Sequence, residues 1–135
     1  MAKHWMNGVE WWCLPGGGVW SNETVAEAAL RELKEECCVS GQIVCQTALY
    51  TDDSGNDTVT FLVEIGDQEP HQGADPEFRQ DEQILREVRW QKLAEISERD
   101  RAYLWAACLL CVPAFHKEVS NWGEALSYPI EETKV

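Results

Sequence analysis

The chain has 135 residues, 44% hydrophobic and 26% charged, with a formal net charge of −13, which is the balance of a globular chain long enough to bury one core. The acidic surplus excludes a nucleic-acid polymer as partner, because that binding rests on Lys and Arg neutralising phosphates; no apolar run approaches the roughly 18 residues of a membrane span. One domain over residues 1–135 is expected, with a cytoplasmic site as the default, since Met1-Ala2-Lys3-His4-Trp5 lacks the apolar region and cleavage site of a secretory signal.

Leu14-Pro15 leads into Gly16-Gly17-Gly18, a backbone able to take positive φ and to approach a ligand closely. Trp5, Trp11, Trp12 and Trp20 flank this loop, where a flat base could stack, although packing is the commoner use of such side chains. Thr24 and Glu27 have capping-box spacing, which predicts a helix from Val25 through Cys37. Ala26, Leu30, Leu33 and Cys37 form its apolar stripe. Glu32, Glu35 and Glu36 occupy a separate sector, beside Val25, Ala28 and Ala29. Like charges so placed destabilise a bare helix by roughly 0.2–0.5 kcal/mol per pair, so a cation should compensate. Two readings follow from spacing alone: a solvated acidic face, or a site for Mg²⁺, which favours oxygen ligands together with substrate phosphates. Arg31 by itself suits an ion pair with Glu27 four residues earlier.

Residues 43–50 and 58–65 suit strands, with Val59, Phe61, Val63 and Ile65 alternating on one face and residues 52–57 as the turn. Residues 66–83 are polar and carry Pro70, Gly73 and Pro76, as expected of a long functional loop. Residues 84–90 read as another strand, with Trp90 in the core. Ser97 and Asp100 can cap a helix running to about Cys111 and stopped by Pro113. Cys108 and Cys111 form a CxxC with no second CxxC to complete a zinc site, so helix packing is their expected role. Adjacent Cys37 and Cys38 in a cytosolic chain argue for reduced thiols. His71 and His116 are expected at the surface.

Joined together, Gly17-x5-Glu23-x7-Arg31-Glu32-Leu33-x-Glu35-Glu36 resembles the Nudix box of the nucleoside-diphosphate-linked-moiety hydrolases. The likeness covers residues 17–39, and Leu14-Pro15-Gly16 and Glu87-Val88-Arg89-Trp90 resemble the family's flanking segments. It implies the α/β class, a Nudix-type α/β/α sandwich around a mixed β-sheet. It also implies Mg²⁺-dependent hydrolysis of a pyrophosphate linkage in a nucleoside diphosphate joined to another moiety, with Mn²⁺ as an alternative ion. Glu32 and Glu36 match the principal metal ligands and Glu35 the adjoining ligand or base, while the Gly17 carbonyl supplies a further oxygen. Arg31 matches the arginine that orients Glu23. Gly16, Gly17, Gly18 and Trp20 are assigned to the substrate. A further acidic residue from the long loop is expected, Glu82 first, Asp81 second and Glu77 kept open, each equally well read as a solvated carboxylate. The implied partner is a small nucleotide derivative, and a homodimer is admitted.

The chain departs from the family pattern in three places. Cys38 stands at the box's terminal glycine, where a left-handed non-glycine residue costs about 1 kcal/mol or more, so a different helix end is expected. Trp20 stands where many members carry a glutamate. The thirteen residues before Leu14 leave little room for two strands of ~5–6 residues, so N-terminal strands are expected to be missing, through a displaced start or a truncated edge. These departures motivate the alternatives of a non-catalytic Nudix-fold nucleotide-binding module and of an inactive fragment. No proline falls between Pro15 and Pro70, which disfavours ADP-ribose as substrate, and the coenzyme A hydrolase signature is missing.

Overall fold

In the computed structural model, which describes residues 1–76 and 78–120, the elements run β1 (Ala2–Met6), β2 (Val9–Cys13), α1 (Val25–Cys37), β3 (Gln42–Thr51), β4 (Asp57–Glu64), β5 (Leu85–Val88), α2 (Glu98–Ala106) and α3 (Pro113–Ser120). Single 3₁₀ turns lie at Leu93–Glu95 and Leu109–Cys111. Glu77 lies outside the described residues. No described helix is long and apolar enough to cross a membrane.

The opening thirteen residues correct the expectation that they are too few for two strands. Asn7 and Gly8 both take positive φ, 54° and 82°, the conformation of a two-residue hairpin turn. That turn lets β1 and β2 pair antiparallel from Ala2↔Cys13 to Met6↔Val9. Alternation along β1 buries Ala2 and His4, while Lys3 on the other face pairs with Glu10 at 2.9 Å. β5 pairs with the other side of β1, giving the order β2-β1-β5, and β3 and β4 form a separate two-stranded sheet. The α/β class stands, but all described pairs are antiparallel and lie in two sheets rather than one mixed sheet. A tight turn permits only antiparallel pairing on one side of β1, and the chain returns antiparallel on the other.

α1 has the predicted bounds and a complete capping box: the Glu27 N–H donates to Thr24 Oγ1 at 3.2 Å and the Thr24 N–H to Glu27 Oε2 at 2.8 Å. Its other end corrects an expectation. Cys38 itself takes the left-handed conformation, φ 57° and ψ 27°, and its N–H donates to Lys34 O at 3.1 Å. The long loop supplies further donors: the N–H groups of His71, Gly73 and Ala74 reach the carbonyls of Cys37, Glu36 and Glu35 at 3.1, 2.8 and 3.0 Å. These contacts satisfy carbonyls that a helix end otherwise leaves bare. Because the motif suits glycine without its strain, Cys38→Gly is expected to stabilise by about 0.5–1 kcal/mol after the added freedom of the unfolded chain is counted. A higher urea midpoint with unchanged slope is the measurement.

Two further expectations are corrected. Trp90 is 63% exposed rather than core, because β5 ends at Val88 and the indole swings out to donate to Glu69 Oε2 at 3.2 Å. The helix capped by Ser97 ends at Ala106 instead of Cys111, and Cys108 is left-handed with φ 57°. Pro113 opens α3, at a position where its missing N–H is harmless.

Leu93, Ile96 and Leu104 form a buried cluster against which Met1, Leu14, Leu109 and Phe115 pack. Buried Arg101 donates to Leu93 O at 3.1 Å, and buried Asp100 accepts the Trp12 N–H at 3.1 Å. The second contact ties α2 to β2, and Leu14 in the cluster anchors the start of the glycine loop.

Candidate active site

The carboxylate face of α1 points inward. Ala28, Glu32 and Glu36, spaced by one helical turn, are all buried, with Glu32 3% and Glu36 2% exposed, whereas of the expected stripe Cys37 is buried and Ala26, Leu30 and Leu33 are only half-buried. Burial of that depth overturns the solvated-face reading, and charges so kept from water need partners. The glycine loop explains the inward turn. A Cβ on Gly17 would overlap Glu32 Oε1 and lie 2.7 Å from Glu32 Cδ, so a side chain there would displace the carboxylate, and the Gly16 N–H donates to Glu36 Oε2 at 3.1 Å.

Arg31 gathers the remaining charge. Its Nε and Nη2 grip Glu23 at 3.1 and 2.7 Å, and Nη2 also donates to Gly18 O at 2.8 Å. Nη1 donates to both Glu32 Oε1 at 2.7 Å and Glu35 Oε2 at 2.9 Å. The Trp20 ring lies over the guanidinium, 3.8 Å from ring centroid to carbon, and the Trp20 N–H donates to Glu23 Oε1 at 2.9 Å. Arg31 and Glu23 thus hold each other in their charged forms: Glu23 raises the arginine's pKa, and Arg31 lowers the carboxyl's. Glu32 differs. Burial pushes its pKa up, and Arg31 only partly opposes this. The Glu27 partner considered for Arg31 is occupied by the helix cap.

His4 is the site residue that sequence reasoning missed. Its Nε2 stands 3.3 Å from Glu36 Oε1, an ion-pair contact without the alignment of a hydrogen bond, and its Nδ1 lies 3.6 Å from Cys13 Sγ. Trp11, opposite it in the hairpin, meets the imidazole edge-on at 5.7 Å. The missed signal was Asn7-Gly8, a strong hairpin dipeptide, which fixes the register that turns His4 inward. Cys13 first and Glu36 second push the His4 pKa up to about 10. A raised imidazole contributes stability that is full below its ordinary 6.5 and lost as pH rises through the folded value. The thermal midpoint of the native protein is therefore expected to exceed that of His4→Gln most near pH 6, with the difference shrinking toward pH 10; a pH-independent difference would contradict it.

The family model of the NUDIX domain matches residues 1–111. The chain belongs to the NUDIX family. No curated protein and no solved structure matches it. NUDIX domains in general hydrolyse nucleoside-diphosphate derivatives and generally use a divalent metal. The residues of this NUDIX domain fit such an ion in their chemistry. All candidate ligands are oxygens, and four carboxylates, Glu23, Glu32, Glu35 and Glu36, face only Arg31 and His4 as cations among the contacts described. Glu32 and Glu35 already share one positively charged nitrogen. Among the described residues, however, no three His, Cys, Asp or Glu side chains form a ready metal-binding group, because Glu32 and Glu35 lean to Arg31 while Glu36 leans to His4 and Gly16.

The loop acids stand apart from this NUDIX cluster. Glu82 and Asp81 are exposed, and Asp81 pairs with Arg79 at 3.6 Å. Neither shares a described hydrogen bond or ion pair with α1. The loop instead meets the helix through the backbone of His71, Gly73 and Ala74.

Proposed function

We propose that this chain cleaves the diphosphate linkage of a nucleoside diphosphate joined to another group, with Mg²⁺, or Mn²⁺ in its place, held by Glu32, Glu35 and Glu36 and the Gly17 carbonyl. What carries the reading is the burial of Glu32 and Glu36 under the glycine loop, where charge surplus is otherwise costly. When bound, such an ion polarises a phosphoryl oxygen and lowers the pKa of a bound water.

The protein's own groups supply placement and proton transfer. Arg31 holds Glu23 and the loop carbonyl of Gly18, tying the glycine loop to the helix. Glu35 is the most accessible of the three ligands, its side chain 24% exposed against 4% for Glu32 and 3% for Glu36, which suits it to take a proton from water. Glu82 is the second candidate base, ahead of Asp81. The loop at Gly16, Gly17 and Gly18 receives the phosphates, with Trp20, already stacked on Arg31, at its margin.

A screen of nucleoside triphosphates, dinucleoside polyphosphates, nucleotide sugars and ADP-ribose with Mg²⁺ is expected to show cleavage of at least one, abolished by excess chelator. One observation favours a binding module instead: Arg31 Nη1 occupies the point between Glu32 and Glu35. Tight nucleotide binding with no product under either metal would establish that second reading.

A further inference from the structure

The CxxC of Cys108 and Cys111 lies outside the carboxylate site and outside any long helix. α2 stops at Ala106, and the left-handed backbone of Cys108, φ 57° and ψ 44°, folds the next residues into a single turn closed by the Cys111 N–H on Cys108 O at 2.8 Å. Few non-glycine residues adopt that conformation, and here it brings the two Sγ atoms to 2.6 Å. That separation is nearer the S–S bond length of about 2.05 Å than to ordinary non-bonded contact. Cys111 is exposed and Cys108 partly so. This differs from the buried helix packing expected of the pair, and it brings together two thiols that the hydrolytic site does not use.

We infer that Cys108 and Cys111 form a thiol–disulfide exchange site that closes to an intramolecular disulfide when a low-molecular-weight disulfide is the oxidant. One of the two thiolates attacks one sulfur of the small disulfide, forming a mixed disulfide and releasing one small thiolate. The other cysteine, deprotonating as it attacks, then displaces the second small thiolate and closes the Cys108–Cys111 disulfide. The protein loses two electrons and two protons, and the small disulfide becomes two thiols. Cys45 on β3 is also an exposed thiol, which makes it the competing partner to test.

The experiment incubates the full chain with oxidised glutathione, quenches with acid, alkylates the remaining thiols and maps them by mass spectrometry. Expected is the loss of two alkylatable thiols, a peptide lighter by two hydrogens spanning residues 108–111, and reversal by dithiothreitol. Cys45→Ser should leave this unchanged, and Cys108→Ser and Cys111→Ser should each trap glutathione on the remaining cysteine of the pair. Full alkylation of both cysteines, a persistent glutathione adduct on the native chain, or a Cys45–Cys111 disulfide would each overturn the inference. The native chain alone decides the outcome if a variant fails to fold, and the readout is independent of hydrolytic activity.

Discussion

Glu36→Gln is expected to lower kcat/KM by on the order of 10³-fold, because a bound cation contributes several kcal/mol of transition-state stabilisation that a neutral amide ligand largely forfeits. The substitution is nearly isosteric. An amide oxygen can still accept the Gly16 N–H, now at 3.1 Å from Glu36 Oε2, so the loop keeps its anchor. The lost charge faces His4 at 3.3 Å, and the imidazole answers by releasing its proton more readily rather than by unfolding the chain. Circular dichroism should therefore match the native protein at pH 8, while calorimetric titration shows Mn²⁺ binding weakened with the rate. Undiminished turnover in the variant, or full native activity in excess chelator, would sink the proposed chemistry. Weakened metal binding without measurable native turnover would point to the binding module.

Gly73→Ala is expected to destabilise by about 3 kcal/mol, the upper range for overpacking a close contact, and to lower the thermal midpoint by roughly 10 °C. An added Cβ would overlap the Glu35 carbonyl oxygen and lie 3.1 Å from Cys38 Sγ. Backbone is the nearer obstacle, so no rotamer change relieves it. Moving the loop away breaks the Gly73 N–H to Glu36 O bond at 2.8 Å and the neighbouring bond from Ala74 to Glu35 O at 3.0 Å. Both acceptors belong to residues proposed to hold metal, so catalytic activity should fall along with stability. Chemical denaturation measures the first effect; a loss under about 0.5 kcal/mol would show that the loop is not clamped in this way. Ala at Gly55, where an added Cβ would meet no atom within 4 Å but φ is +84°, separates backbone strain from steric contact.

Much of α1 was legible because its signals are local. The Thr24–Glu27 box and the spacing of the apolar residues act over three or four residues, and the helix bounds agree with them. The β3–β4 hairpin was legible for the same reason, from the alternation at 59–65 and the polar turn before it, but the two register shifts in its pairing, between Ile43 and Cys45 and between Gln46 and Ala48, were not. The failures lie where distant segments decide. Trp90 follows a strand that stops earlier than its residue types suggest, and beyond the end of α2 at Ala106 Leu109 and Phe115 pack against Leu93, Ile96 and Leu104, contacts that no local spacing announces.

The residues of the box, their order and the family they belong to were determined by sequence alone, since a long spaced motif needs no three-dimensional context to be specific. The direction in which that box faces was decided only by tertiary structure. Gly17 admits Glu32, Gly16 holds Glu36, His4 meets Glu36 from a strand 32 positions earlier, and Gly73 closes the helix from 37 positions after Glu36. Periodicity separates two faces of a helix but cannot say which is buried when the polar face is the one that other segments cover.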